Sequence, residues 1–187
     1  MTAEDVGTTV ADMSAAARAT RFVAGLLHKA GASLVVSAPD HDRTLGARAQ
    51  FNAKIAHVNT IHPVSGDVYS PKVLGAVLNA KTIPQLGAAI VCGTTNNQLA
   101  TAADGNLLMQ RNVAYARDYV ADAGGSINVV AGYLGESIDS VERQMAKIPG
   151  RVNEIIAKAK AQRRPANEVA DQFARDLLAR SRRPAPV

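Results

Sequence analysis

The order of apolar runs predicts an α/β protein: a doubly wound, mainly parallel sheet with C-terminal helices packed on it. Three observations carry that expectation. Short apolar runs bounded by Gly, Pro and Asp alternate with longer helix-forming stretches, the pattern of parallel strands joined by crossover helices. Past residue 135 the alternation stops and only helical periodicity remains. The 187 residues are 47% hydrophobic and 20% charged, which suits a chain that buries a core rather than a disordered one.

The elements follow in order. Val6–Val10 is a short strand. Ser14 offers an N-cap hydroxyl, and Ala15–Lys29 carries strong helix formers with Phe22, Val23, Leu26 and Leu27 on one face. Gly31 stops this helix, and Ser33–Ala38 is apolar enough for a strand buried between helices. Pro39-Asp40 turns the chain into a helix over 41–54, and Ala56–Asn59 is a weaker third strand. Asp67–Pro71 is a strand ending at a proline, with a short helix over 73–80 after it. Ile83–Leu86 leads into the buried strand Ala88–Cys92, which gives way to a loop over Gly93–Gln98. Ala102–Gln110 is helical, Val113–Ala116 is a strand, and Asp118–Gly125 is a loop whose turn Gly124 and Gly125 permit. Helices over 136–161 and 165–181 follow, the first kinked or broken at Pro149-Gly150. The expected division is 1–135 for the sheet domain, 136–181 for helices packing on it, and 182–187 for a flexible basic tail.

Composition narrows the function classes. No apolar run approaches the roughly 20 residues of a membrane span. The acidic start Met-Thr-Ala-Glu-Asp-Val is unlike a secretory signal, so a cytoplasmic protein is expected. Cys92 is the one cysteine; it sits in an apolar run and reads as packing, with no internal disulfide. The net charge is +5, yet residues 143–187 alone hold 11 Lys/Arg against 4 Asp/Glu. Only Phe173 lies in that stretch to stack a base, so solvated helix faces are a better reading than a nucleic-acid surface. His28, His41, His57 and His62 have no carboxylate or cysteine at metal-ligand spacing, and no metal site is expected.

Several spaced stretches carry a family resemblance. They are Asp67-Val-Tyr-Ser-Pro-Lys-Val-Leu-Gly75, Thr82-Ile-Pro-Gln-Leu86, Val91-Cys-Gly-Thr-Thr-Asn-Asn-Gln-Leu99, Gly105, Asn112-Val-Ala-Tyr115 and Asp118-Tyr-Val-Ala-Asp-Ala-Gly-Gly-Ser-Ile-Asn-Val129. In this order they resemble the C-terminal, nucleotide-binding Rossmann domain of the glutamate/leucine/phenylalanine/valine dehydrogenases, the leucine and phenylalanine enzymes above all. The resemblance runs from about Ala15 to Val129. It implies a single Rossmann-like domain, NAD as cofactor, and descent from an oxidoreductase acting on amino acids. In that family a separate N-terminal domain supplies a catalytic lysine and aspartate, and this sequence is expected to lack it.

The resemblance also assigns site residues. Register with the downstream Gly31-Ala32 pair puts the family's Gly-x-Gly-x-x-Ala on Ala15–Thr20. Methyl groups at Ala15 and Ala17 then stand where bare main chain would approach a diphosphate, with Arg18 as a candidate compensating charge. Where an acidic residue would take the ribose hydroxyls stands Ala38; Asp40, two residues on, either reaches the ribose or caps the next helix. Both changes weigh against tight NAD binding. At the nicotinamide end, Thr94, Asn96 and Asn97 match residues that line the ribose, with Val73 a weaker candidate. Asp122 replaces an asparagine, and Gly124, Gly125 and Ser126 fall in the substrate pocket. Lys72, just past a strand at the ligand-binding edge, and Asp122 are the candidate catalytic groups.

The expected function is that of a stand-alone, degenerate relative of these nucleotide-binding domains, holding a small amino-acid-derived ligand. It would act as a homo-oligomer or as a subunit completed by a partner catalytic chain, without oxidative deamination on its own. The alternative is a repurposed enzyme acting on an amino-acid-derived keto or imine compound.

Overall fold

The computed structural model describes residues 8–12, 24–38, 41–57, 61–72 and 75–181. Six strands form one sheet: β1 (Thr8–Asp12), β2 (Ser33–Ser37), β3 (Lys54–Ile55), β4 (Gly66–Pro71), β5 (Ala88–Val91) and β6 (Ala114–Tyr115). Their spatial order is β3-β2-β1-β4-β5-β6, and every neighbouring pair is parallel. The order reverses at β1, so the crevice beyond the ends of β1 and β4 is the natural ligand position of such a sheet.

Helices cover both faces. They are α1 (residues 24–29), α2 (His41–Phe51), α3 (Asp104–Gln110), α4 (Asp118–Ala121), α5 (Ala123–Leu134), α6 (Ile138–Met145), α7 (Ile148–Gln162) and α8 (Ala166–Ser181). Strand β2 shows why the apolar run was needed: all its residues after Ser33 are buried. Leu34 and Val36 pack with Ala24, Ala47 and Phe51 on one face. Val35 joins Tyr69, Val91, Leu108 and Tyr115 in the larger core cluster on the other.

The last helices pack back on the sheet. Ile155 and Ala159 of α7 meet Val169 and Ala170 of α8, with Val120 of α4 against them. Asn167 docks α8 on α3: its Nδ2 donates to the Ala102 carbonyl at 3.1 Å. A Cβ on Gly105 would fall 1.9 Å from Asn167 Oδ1, so this approach requires a glycine.

Several expectations need correction. The first strand is Thr8–Asp12 rather than Val6–Val10, residues 1–7 lying outside the described ones. Helix α2 ends at Phe51, where Asn52 turns left-handed at φ 50°, and β3 follows at once instead of at 56–59. No helix forms over 75–80, the described part of the expected 73–80 helix. Side chains compete for the backbone there: Asn79 Oδ1 accepts from the N–H groups of Lys81 (2.9 Å) and Thr82 (3.2 Å), and the Thr82 hydroxyl donates to the Val77 carbonyl at 2.6 Å.

Residues 118–125 are not a loop but α4 and the start of α5, meeting at Asp122. Gly124 and Gly125 are helical; among the described glycines only Gly31 and Gly135 have positive φ. Gly135, at φ 68°, caps α5. The 136–161 helix divides at Ala146-Lys147 into α6 and α7, with Pro149 in the first turn of α7, where a missing N–H is harmless. Cys92 lies just past β5 and is exposed, not packed. It shares a face with Ile90, also exposed, while Val91 between them points into the core.

Candidate ligand site at the C-terminal edge of the sheet

One glycine sets the geometry. A Cβ on Gly93 would lie 2.4 Å from the Pro71 carbonyl oxygen and 2.7 Å from its nitrogen, so only bare main chain lets the segment after β5 cross the end of β4. That crossing sets Lys72 beside Thr94, with Nζ donating to Thr94 Oγ1 at 3.2 Å. Lys72 is 4% exposed. Burial lowers its ammonium pKa below the ordinary 10.5, and the Asp122 carboxylate opposes that fall.

Asp122 is held at the α4–α5 junction, its N–H donating to the Asp118 carbonyl at 2.8 Å. Burial raises its carboxyl pKa above the ordinary 3.8; Lys72 pulls it down and the Asp118 charge pushes it further up. Among the described residues no direct ion pair joins Lys72 and Asp122.

The 93–98 loop is fixed from inside. Gln98, fully buried, donates from Nε2 to the Gly93 carbonyl at 2.8 Å and closes the loop. Its backbone N–H donates to Asp118 Oδ2 at 3.3 Å. Asn97 stands left-handed at φ 54°, and its carbonyl accepts from the Ala76 N–H at 2.8 Å. Between this loop and α5 lies a cavity of about 480 Å³, lined by Asn96, Tyr119, Asp122, Gly125, Ser126, Val129 and Val130.

The structure thus brings Asn96, Asp122, Gly125 and Ser126 together around one cavity, with the Lys72–Thr94 pair nearby. Asn97 and Gly124 are not among the lining residues; a Cβ on Gly124 would instead meet Met145 Cε at 3.1 Å. Arg18, Asp40, Val73 and the Ala15–Thr20 stretch lie outside the described residues. Among the described residues no three His, Cys, Asp or Glu side chains gather to hold a metal, and no helix is long and apolar enough to cross a membrane.

Sequence reasoning missed the scaffold behind the site. Asp118, 4% exposed, accepts from Gln98 N–H and from Tyr119 N–H (3.0 Å) and pairs with Arg117 Nε at 3.3 Å. Tyr119 donates its hydroxyl to Asp171 Oδ1 at 2.8 Å, tying α4 to α8. Burial and the Asp118 charge push the buried Tyr115 hydroxyl up to about 12. Asp118 and Gln98 stand inside the stretches that carry the resemblance, but no periodicity marks a polar residue as internal. Also unread was the outer face of α5, where Val129, Val130, Tyr133 and Leu134 are 54–90% exposed, followed by Ile138 at 76%.

No family model matches the chain. It is 34% identical over 154 residues to leucine dehydrogenase of Geobacillus stearothermophilus, covering 81% of this chain and 41% of that protein. It is 36% identical over 155 residues to valine dehydrogenase of Streptomyces albus, covering 81% of this chain and 43% of that one. The crystal structure of L-tryptophan dehydrogenase from Nostoc punctiforme superposes with a TM-score of 0.85 at 28% identity, over 90% of this chain and 51% of that one. The chain therefore spans about two fifths of the length of these curated relatives.

Proposed function

The chain belongs to the amino-acid dehydrogenase family through the nucleotide-binding half of its relatives, and from that premise we propose that it binds a small amino-acid-derived acid without performing NAD-dependent oxidative deamination by itself. The observation that carries this reading is the charge set at the sheet edge. Because Lys72 donates to Thr94 Oγ1, the threonine hydroxyl is left to donate its own proton outward, with a buried ammonium behind it. Asn96 and Ser126 add neutral donors and acceptors, and Val129 and Val130 offer apolar wall to an aliphatic body. A branched-chain 2-oxo acid has this combination of carboxylate, carbonyl and aliphatic tail.

The family's cofactor suits the same edge poorly. An oxidised nicotinamide ring is a cation, and the Lys72 ammonium stands next to Thr94, one of the residues matched to its ribose. Like charges in a partly desolvated site repel. Asp122, when ionised, offers acceptors alone where an asparagine would also donate.

The outer face of α5 supports completion by a partner domain. Val129 and Val130 line the cavity and continue into exposed Tyr133, Leu134 and Ile138. A patch this apolar reads as a docking surface. A domain seated on it would also close over the ligand, and the relatives are more than twice as long as the matched stretch.

Thermal-shift titration tests the reading. A branched-chain 2-oxo acid should raise the melting temperature of the chain, Lys72→Gln should abolish the rise, and the chain alone with leucine or valine and NAD should form no NADH. Turnover by the chain alone would overturn it. One observation favours a second reading, an enzyme acting on a keto or imine compound: burial moves the Lys72 amine toward neutrality, as an acid–base group requires. Loss of 2-oxo acid or imine turnover in Lys72→Gln, with folding intact, would select that alternative.

A further inference from the structure

A second cavity lies away from the candidate site. Helices α3, α7 and α8 enclose about 520 Å³ against the beginning of β6. Its walls are apolar, with Leu108, Met109 and Ile156 among them, while Lys160, Arg163 and Arg164 stand at it and are all exposed. No carboxylate is among its described lining residues. Arg164 is held 3.5 Å from Glu168, whereas Lys160 and Arg163 have no carboxylate partner among the described residues.

Two features single out this rim. Arg163 caps α7 in the left-handed conformation, φ 51° and ψ 46°, where glycine is the usual residue. It is one of five described non-glycine residues at positive φ, and the one that sets a long cationic side chain at this cavity. The second feature is charge. The end of a helix carries only about half a negative charge, which Lys160 in the last turn already answers, and Glu168 answers Arg164, leaving the Arg163 guanidinium in excess.

We propose that this cavity binds a small amphipathic carboxylate, an aliphatic acid whose chain fills the slot and whose carboxylate meets Lys160 and Arg163. Apolar walls argue against a bare phosphate, and the basic rim argues against a neutral hydrocarbon. The site shares no residue with the sheet-edge cavity, so it stands or falls separately from the function proposed above.

The test is calorimetric titration of the whole chain with octanoate, with octanol and acetate as comparators. Octanoate should bind saturably and at least tenfold more tightly than either comparator. Arg163→Gly relieves the left-handed strain while deleting the charge, so the variant should melt no lower than the parent. Combined with Lys160→Gln it should weaken octanoate at least tenfold and leave octanol unchanged. Absence of saturable octanoate binding, equal affinity for octanol, or an undiminished affinity in the double variant would each overturn the proposal.

Discussion

The contact between Gly105 and Asn167 fixes how the C-terminal helices sit on the sheet, and it can be tested as a double-mutant cycle. In Gly105→Ala the new Cβ would lie 1.9 Å from Asn167 Oδ1, far inside any real carbon–oxygen contact. The Asn167 amide is 2% exposed and cannot swing into solvent, so either α8 shifts or the amide gives up the Ala102 carbonyl at 3.1 Å. Overpacking of this kind costs about 1–3 kcal/mol, and the lost hydrogen bond about 1 kcal/mol more. Together these give a destabilisation of about 3 kcal/mol, or a fall of roughly 6–12 °C in melting temperature for a chain of this size. Asn167→Ala alone loses only the hydrogen bond, about 1 kcal/mol. In the double variant the clash is gone, so its stability should match Asn167→Ala, leaving a coupling energy of about 2–3 kcal/mol. Urea denaturation followed by far-ultraviolet circular dichroism measures all four corners, a suitable probe for a chain without tryptophan. Additive single-mutant effects within about 0.5 kcal/mol would refute the reasoning.

Four further outcomes follow from the site. The pKa of Lys72 is lowered in the fold, so in the window between that lowered value and 10.5 the unfolded chain holds more protons and stability rises with pH. Lys72→Met should flatten this alkaline rise in pH-dependent denaturation; an unchanged slope would contradict the burial of the ammonium. Asp122, with its pKa raised, acts in the opposite sense: its contribution is full below 3.8 and is lost as pH rises through the raised value. Asp118→Ala leaves the Gln98 and Tyr119 N–H groups without their acceptor and Arg117 with only the more distant Asp171 as ion-pair partner, which should cost about 2–4 kcal/mol in denaturant unfolding. Gly93→Ala drives a methyl against Pro71 and should part Lys72 from Thr94, costing about 2 kcal/mol and abolishing the 2-oxo acid thermal shift.

The sheet was legible because parallel strands need unbroken apolar runs: Leu34–Val36 is buried throughout, and Ala88–Val91 forms its strand although Ala89 and Ile90 are exposed, against the expectation of a buried one. Gly31 marked its helix end correctly, with φ 91°. Side-chain hydrogen bonding was less legible: Asn79 and Thr82 unwind a stretch whose apolar spacing reads as helix. Gly124 and Gly125 misled in the other direction. Glycine pairs suggest turns, yet here they begin α5, and the glycine that does turn the chain is Gly135. At the sheet edge, the stretches that carry the family resemblance contain Thr94, Asn96, Asp122 and Ser126, whereas the buried placement of Lys72 depends on Gly93 letting two strand ends cross, a distant contact no local pattern records. The same holds for Gln98 and Asp118, polar and interior because the Gln98 amide closes its own loop on the Gly93 carbonyl while the Asp118 carboxylate accepts from the Gln98 N–H.

Calorimetric titration of the isolated chain with NAD⁺ probes most directly the claim that the sheet edge holds a small acid rather than a dinucleotide. With the Lys72 ammonium beside Thr94 and a carboxylate at Asp122, no saturable heat should appear in the micromolar range, and Lys72→Gln should bind NAD⁺ more tightly than the parent chain. Micromolar binding by the parent chain, undisturbed or weakened by Lys72→Gln, would contradict it.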